Sequence, residues 1–182
     1  MGKLILFIIL SIPVVIISWN PLRQFKSHGF YRFFSWECII WLLASNYRFW
    51  FDNPFGTVQI FSWILLIASI YPLIAGIIQI KKVGKPHSER EETGLYKFEK
   101  TTELVDTGIY KHIRHPLYAS LLLLTWGIFL KNVTLLLFII SLLSSIFLYL
   151  TAKADERECI KYFGHTYKEY MRRSKMFAPF IF

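Results

Sequence analysis

Five stretches of the chain are apolar almost without interruption: residues 4–19, 33–51, 58–80, 117–130 and 133–150. A helix needs about 20 apolar residues to cross the hydrocarbon core of a bilayer. The third stretch meets that length and the fifth is near it. The second is interrupted by Glu37 and Arg48. The fourth, at 14 residues, spans only about 21 Å at 1.5 Å per residue. It must thin the bilayer locally or start below the hydrocarbon edge. Lys3 and the apolar run behind it resemble a secretory leader. However, Asn20, Pro21, Leu22 and Arg23 stand where a small-residue cleavage site belongs, so the pattern predicts a retained helix.

Only Lys131 and Asn132 separate the fourth and fifth stretches, which predicts an antiparallel hairpin. A mirror about that turn sets Pro116 opposite residue 147 and Gly108 opposite Asp155. No Gly or Pro interrupts residues 133–163. That run is roughly 46 Å long as a helix, more than the roughly 30 Å of hydrocarbon. The fifth helix is therefore expected to continue into the cytoplasm. Gly164 is its expected stop, and a short helix over about 166–173 follows and folds back.

Composition narrows the class. Of the 182 residues, 54% are hydrophobic and only 18% charged, against about 25% charged in soluble domains. A water-soluble globule and a disordered chain are both excluded. The net charge is +9, yet the basic residues are not interleaved on a soluble fold, so nucleic acid is not the expected partner. With five spans, 18 of the 21 basic residues fall on one face, leaving Lys3, Arg48 and Lys131 on the other. The positive-inside rule then puts the N-terminus outside and the C-terminus in the cytoplasm. The expected organisation is one membrane domain over 1–182. Three spans occupy 1–80, a cytoplasmic linker 81–115, and a hairpin with a tail 116–182. Cys38 and Cys159 form no metal or disulfide pattern, and no metal site is expected.

The hairpin brings residues 108–118 beside Asp155, Glu156, Arg157 and Glu158 at the cytoplasmic membrane surface, assembling His, Arg, Tyr and carboxylates. The run Gly108-Ile109-Tyr110-Lys111-x-x-Arg114-His115-Pro116-x-Tyr118-x-Ser120 resembles the RHPxY signature of the isoprenylcysteine carboxyl methyltransferase superfamily. The run Asp155-Glu156-x-x-Cys159-x-x-x-Phe163-Gly164-x-x-Tyr167-x-x-Tyr170, with Pro179 beyond, resembles its second block. The resemblance covers about 103–179. Phospholipid N-methyltransferases and small thiol methyltransferases share this architecture. Three positions depart from the pattern. Asp155-Glu156 replaces Glu-Glu, Ser120 stands where a Gly is common, and Cys159 replaces a Leu.

The resemblance implies an all-α integral membrane methyltransferase that uses S-adenosylmethionine and acts on a lipid or other apolar acceptor. It implies a cofactor site built from Gly108, Tyr110, Arg114, His115, Pro116, Tyr118, Asp155 and Glu156, with His115 and Arg173 as catalytic residues. Glu156, with Asp155, suits the cofactor's ammonium or ribose hydroxyls. Arg114 or a tail arginine suits its carboxylate. Tyr110 and Tyr118 suit adenine stacking or a cation–π contact with the sulfonium. Arg173 or Arg172 would orient a carboxylate acceptor, and His115 or a carboxylate would deprotonate an amine. A thiol acceptor would need its thiolate. The acceptor enters between helices, and the cofactor enters from the cytosol with the linker as a lid. Two other readings are an NADPH-dependent membrane reductase, which carries a similar His-Pro-x-Tyr region, and a non-enzymatic membrane subunit.

Several of these residues also have ordinary readings. Pro116 fits the first position of any helix, and Arg114, His115, Tyr110 and Tyr118 fit an interfacial belt. His28, His87 and His165 lack a partner pattern and read as structural, and His112 reads as a solvated interfacial residue. Lys81, Lys82 and Lys85 read as headgroup contacts. Glu37, inside an apolar run, reads as a structural hydrogen bond ahead of a substrate role.

Overall fold

The computed structural model describes residues 2–85 and 101–178. Pro86, His87, Arg90, Gly94, Lys97, Lys100 and Pro179 lie outside the described residues, as does the central part of the expected lid. The described residues form six helices: α1 (Gly2–Leu22), α2 (His28–Asn46), α3 (Thr57–Val83), α4 (Pro116–Phe129), α5 (Leu135–Phe163) and α6 (His165–Arg173). A 3-10 turn, Gly108–Lys111, precedes α4. Each apolar stretch forms a helix, and among the described residues there is no strand, only isolated bridge residues such as Ile113 with Lys175. Three helices, α1, α3 and α5, are long and apolar enough to cross a membrane. The 14-residue α4 is apolar but short.

The second element differs from its expected bounds. Ser27 caps α2 early by accepting a hydrogen bond from the Phe30 N–H at 3.1 Å. At the other end α2 stops at Asn46, whose side chain donates to the Ile128 carbonyl at 2.7 Å. Residues 47–56 turn instead of extending the helix.

The long helices are apolar on the outside and carry small polar groups within. Ile5, Ile8, Ile12 and Ile16 of α1, Ile67 and Tyr71 of α3, and Leu135 and Ile146 of α5 are exposed. Inside, Ser35 Oγ lies 3.1 Å from Ser144 Oγ, which lies 3.4 Å from Thr125 Oγ1. Ser62 Oγ donates to the Gly127 carbonyl at 2.7 Å. A Cβ at Gly127 would sit 2.9 Å from Leu66 Cγ, so glycine is what lets α3 and α4 approach. Small residues and interhelical hydrogen bonds are the usual means of joining helices in lipid, where burying apolar surface gives no driving force. Glu37 accepts from Ser11 Oγ at 2.7 Å, joining α1 to α2.

The α4–α5 turn is pinned by Lys131, only 3% exposed. Its ammonium donates to Gln59 Oε1 at 3.1 Å and lies 3.5 Å from the Trp63 ring centroid. The hairpin forms as expected, but its register is shifted. Thr125 meets Ser144, where the mirror about the turn pairs it with Phe138. Residues 132–134 are not helical. Asn132 still closes the turn by donating to the Phe129 carbonyl at 3.2 Å, whereas Thr134 is extended. An extended residue rises about 3.3 Å against about 1.5 Å in a helix, so this non-helical link breaks the simple mirror. α5 then runs unbroken to Phe163. Gly164 ends it at φ +62°, a conformation that favours glycine, and α6 turns back.

Candidate functional site

The site is built where the loop before α4 meets the extension of α5 and the chain after α6. Gly108, at φ +60°, opens the 3-10 turn that buries Tyr110. Pro116 is the first residue of α4, and His115 precedes it in a non-helical conformation. The chain after α6 runs parallel to this loop. Lys175 N–H donates to the His112 carbonyl at 2.9 Å, Arg114 N–H to the Lys175 carbonyl at 2.8 Å, and His115 N–H to the Met176 carbonyl at 3.2 Å. Tyr170 Oη donates to the Tyr110 carbonyl at 2.7 Å.

A charged cluster fills the junction. Arg114 Nε donates to Glu156 Oε1 at 2.9 Å, and its terminal nitrogen donates to the Met171 and Ser174 carbonyls. Lys153 Nζ donates to Glu156 Oε2 at 3.0 Å. His115 is 4% exposed. Its Nδ1 lies 3.4 Å from Asp155 Oδ2, and its Nε2 lies 3.5 Å from Glu156 Oε1. Nε2 is buried without a hydrogen bond among the described residues. The His115 ring stacks on Tyr118 at 5.4 Å and 21°, and Tyr118 Oη donates to Asp155 Oδ2 at 3.5 Å. Burial alone would push the His115 imidazole below its ordinary 6.5. The carboxylates of Asp155 and Glu156 outweigh that and raise it.

A cavity of about 100 Å3 opens here. Tyr110, Arg114, His115, Tyr118 and Asp155 line it, backed by Tyr167. A second, apolar groove of about 670 Å3 runs between α2, α3 and α4, walled by Trp36, Trp50, Trp63, Leu66 and Leu121, with Arg32 as a cationic wall residue. Leu117 and Tyr118 line both spaces.

Five of the residues expected at a cofactor site therefore share one cavity. Glu156 stands behind the wall, holding Arg114 and Lys153. Gly108 and Pro116 shape the backbone and do not line the cavity. Arg173 lies apart, exposed and paired with Asp106, and Arg172 lines a separate cavity. The structure also assembles partners that the sequence did not single out. Glu158 accepts from the backbone N–H of the fully buried His28 at 3.1 Å, and its other oxygen lies 2.5 Å from His28 Nδ1. Lys153 had a readable signal in its i,i+3 spacing to Glu156. The His28–Glu158 pair, 130 residues apart, had none. Among the described residues no group of three His, Cys, Asp or Glu side chains could hold a metal.

Residues 58–169 match the phospholipid methyltransferase family. The chain is similar to the methanethiol S-methyltransferase of Crocosphaera subtropica, 26% identical over 137 residues that cover 72% of this chain and 50% of that protein. It is also similar to methanethiol S-methyltransferase 2 of Bradyrhizobium diazoefficiens, 35% identical over 74 residues that cover 41% of this chain and 28% of that protein. The chain thus spans half the length of the first relative and less of the second. No solved structure is significantly similar to it.

Proposed function

The chain belongs to the phospholipid methyltransferase family, and from that membership we propose that it is an integral membrane enzyme transferring a methyl group from S-adenosylmethionine to an apolar acceptor. The observation that carries this reading is the pair of adjoining spaces, one bearing charged and hydrogen-bonding side chains and one apolar, that share Leu117 and Tyr118. A polar donor and an apolar acceptor can meet at Tyr118 only in such an arrangement.

The residues of the polar cavity fit the donor's chemistry. S-adenosylmethionine, when bound, supplies an electrophilic methyl on a sulfonium. Asp155 accepts hydrogen bonds from its ammonium or ribose hydroxyls. Tyr110 and Tyr118 offer aromatic faces to adenine or to the sulfonium. His115 Nε2, buried and without a hydrogen bond among the described residues, is a polar atom that a ligand can satisfy. The cavity, at about 100 Å3, is below the roughly 300–1,000 Å3 of small-molecule sites. It suits the amino-acid end of the donor, and its wall continues to Thr101. Arg114 contributes mainly through its pair with Glu156, which fixes the loop that carries His115.

The acceptor is expected to lie in the groove between α2, α3 and α4, open to lipid. Methyl transfer in line then depends on holding two bound groups in register and excluding water. The thiol acceptor in the names of the relatives suits this apolar groove, as does the chain of a lipid. The expected topology has five spans, the N-terminus outside and the site on the cytoplasmic face. Arg173, paired with Asp106, would reach an acceptor carboxylate only by leaving that pair.

The test is methyl transfer from labelled S-adenosylmethionine by the purified chain into methanethiol and into a total membrane lipid extract, alongside titration with NADPH. Label in either acceptor supports the reading and separates thiol from lipid. Saturable NADPH binding with no response to S-adenosylmethionine would overturn it. His115→Ala is expected to abolish S-adenosylmethionine binding while leaving the helices intact.

A further inference from the structure

A third cavity lies at the same end of the molecule, on the other side of Arg114. It encloses about 420 Å3 between α5, α6 and the chain after α6. Its walls carry Arg114, Lys153, Arg172 and Lys175 beside the apolar surfaces of Tyr149 and Met171, and among the described residues no carboxylate lines it. Glu156 engages Arg114 and Lys153 from behind. Among the described residues the side chains of Arg172 and Lys175 make no ion pair or hydrogen bond. Four cations against one carboxylate leave a surplus of three positive charges around one cavity. Such a concentration repels itself and attracts an anion.

Position indicates which anion. Tyr149 and Lys153 sit one turn apart on α5, with Lys153 Nζ 5.8 Å from the Tyr149 ring. They straddle the point where the apolar run ending at Leu150 gives way to charged residues. An aromatic ring with a lysine beside it is the arrangement favoured at the headgroup level of a bilayer. Arginine grips phosphate with two parallel hydrogen bonds, and lysine adds a compact charge. Anionic lipids concentrate on the cytoplasmic leaflet, the face on which the basic residues are expected.

We propose that this cavity binds the phosphate headgroup of an anionic phospholipid, at a site distinct from the acceptor groove. The proposal rests on reading the chain as a membrane protein with this end at the headgroups, and it does not require methyl transfer. The lipid fastens α6 and residues 174–176 to the bilayer surface. Because Arg114 lines both cavities, the same contact steadies the loop that carries His115.

The experiment places the purified full chain in phosphatidylcholine nanodiscs, with and without phosphatidylglycerol and with no methyl donor or acceptor present. Lipid retention is read by native mass spectrometry and thermal stability by tryptophan fluorescence. The expected result is one retained phosphatidylglycerol per chain, a raised unfolding midpoint and no comparable retention of phosphatidylcholine. Arg172→Gln with Lys175→Gln is expected to weaken phosphatidylglycerol retention at least tenfold while leaving the midpoint in phosphatidylcholine unchanged. If that double variant folds poorly, the exchange Arg172→Lys with Lys175→Arg keeps the charge and is expected to retain the lipid. Equal retention of both lipids, undiminished retention in the neutralised variant, or loss of it in the charge-preserving exchange would overturn the proposal. So would inorganic phosphate giving the full stabilisation in phosphatidylcholine discs, which assigns the cavity to a free anion. Retention is read without methyl transfer, so failure of the proposed activity would not be mistaken for failure here.

Discussion

Glu156→Ala is the substitution whose consequence the site geometry fixes most sharply. The side chains of Glu156 and Arg114 are 3% and 9% exposed, and Glu156 also holds Lys153, which is 39% exposed. Removing one partner of a buried ion pair typically destabilises by about 3–5 kcal/mol, because the other charge stays buried. Here Arg114 keeps the carbonyls of Met171 and Ser174, and Lys153 can turn to water. The cost therefore falls at the low end, about 3 kcal/mol. For a chain of this size that is a midpoint shift of roughly 6–12 °C. Arg114→Ala together with Glu156→Ala removes both charges, so the double variant is expected to lose less than the sum of the singles, by about 1–2 kcal/mol. The assay is unfolding of the detergent-solubilised chain followed through its six tryptophans. A single variant within about 0.5 kcal/mol of the parent, or a double variant that is strictly additive, would refute the argument. Glu156→Gln is accordingly the variant to use when ligand binding rather than folding is to be measured.

Three further outcomes are expected. The raised His115 value means that its contribution to stability is complete below its ordinary 6.5 and is lost as pH rises through the folded value. The unfolding midpoint should fall as pH rises above the ordinary histidine value of 6.5, and His115→Gln should flatten that slope; an unchanged slope in the variant would assign it to another group. Gly127→Ala forces a methyl to 2.9 Å from Leu66 Cγ and 3.2 Å from the Leu66 nitrogen, so it should destabilise the α3–α4 contact by about 1–3 kcal/mol, checked by the same unfolding assay. Tyr170→Phe removes the bond to the Tyr110 carbonyl and should destabilise by about 1–3 kcal/mol, with faster amide exchange in residues 108–111 as the local readout.

The helices and the meeting of Arg114, His115 and Tyr118 with Asp155 and Glu156 were legible because they follow from apolar run length and one short turn. The register was not, since the link over residues 132–134 is not helical. Side-chain roles were less legible still. Arg114 and Glu156 look equally available for a ligand in the sequence, yet they are spent on each other. Arg173 sits on the expected helix but pairs with Asp106, which only the path of the loop near residue 106 decides. His28 gave no sign of its bond to Glu158, because nothing local marks two residues that meet through the packing of α2 on α5.

The three main-chain bonds between residues 112–115 and residues 175–176 set an order of assembly during biosynthesis. Helices emerge from the ribosome in sequence, so α4 and α5 exist before residues 174–176 have been made. Until then the amides of Arg114 and His115 lack the main-chain partners described above, and the Arg114 side chain lacks the Ser174 carbonyl. The pocket is therefore among the last parts of the molecule to close. A released chain truncated after Arg173 would keep the six described helices, while the loop around His115 stayed open to protease and amide exchange.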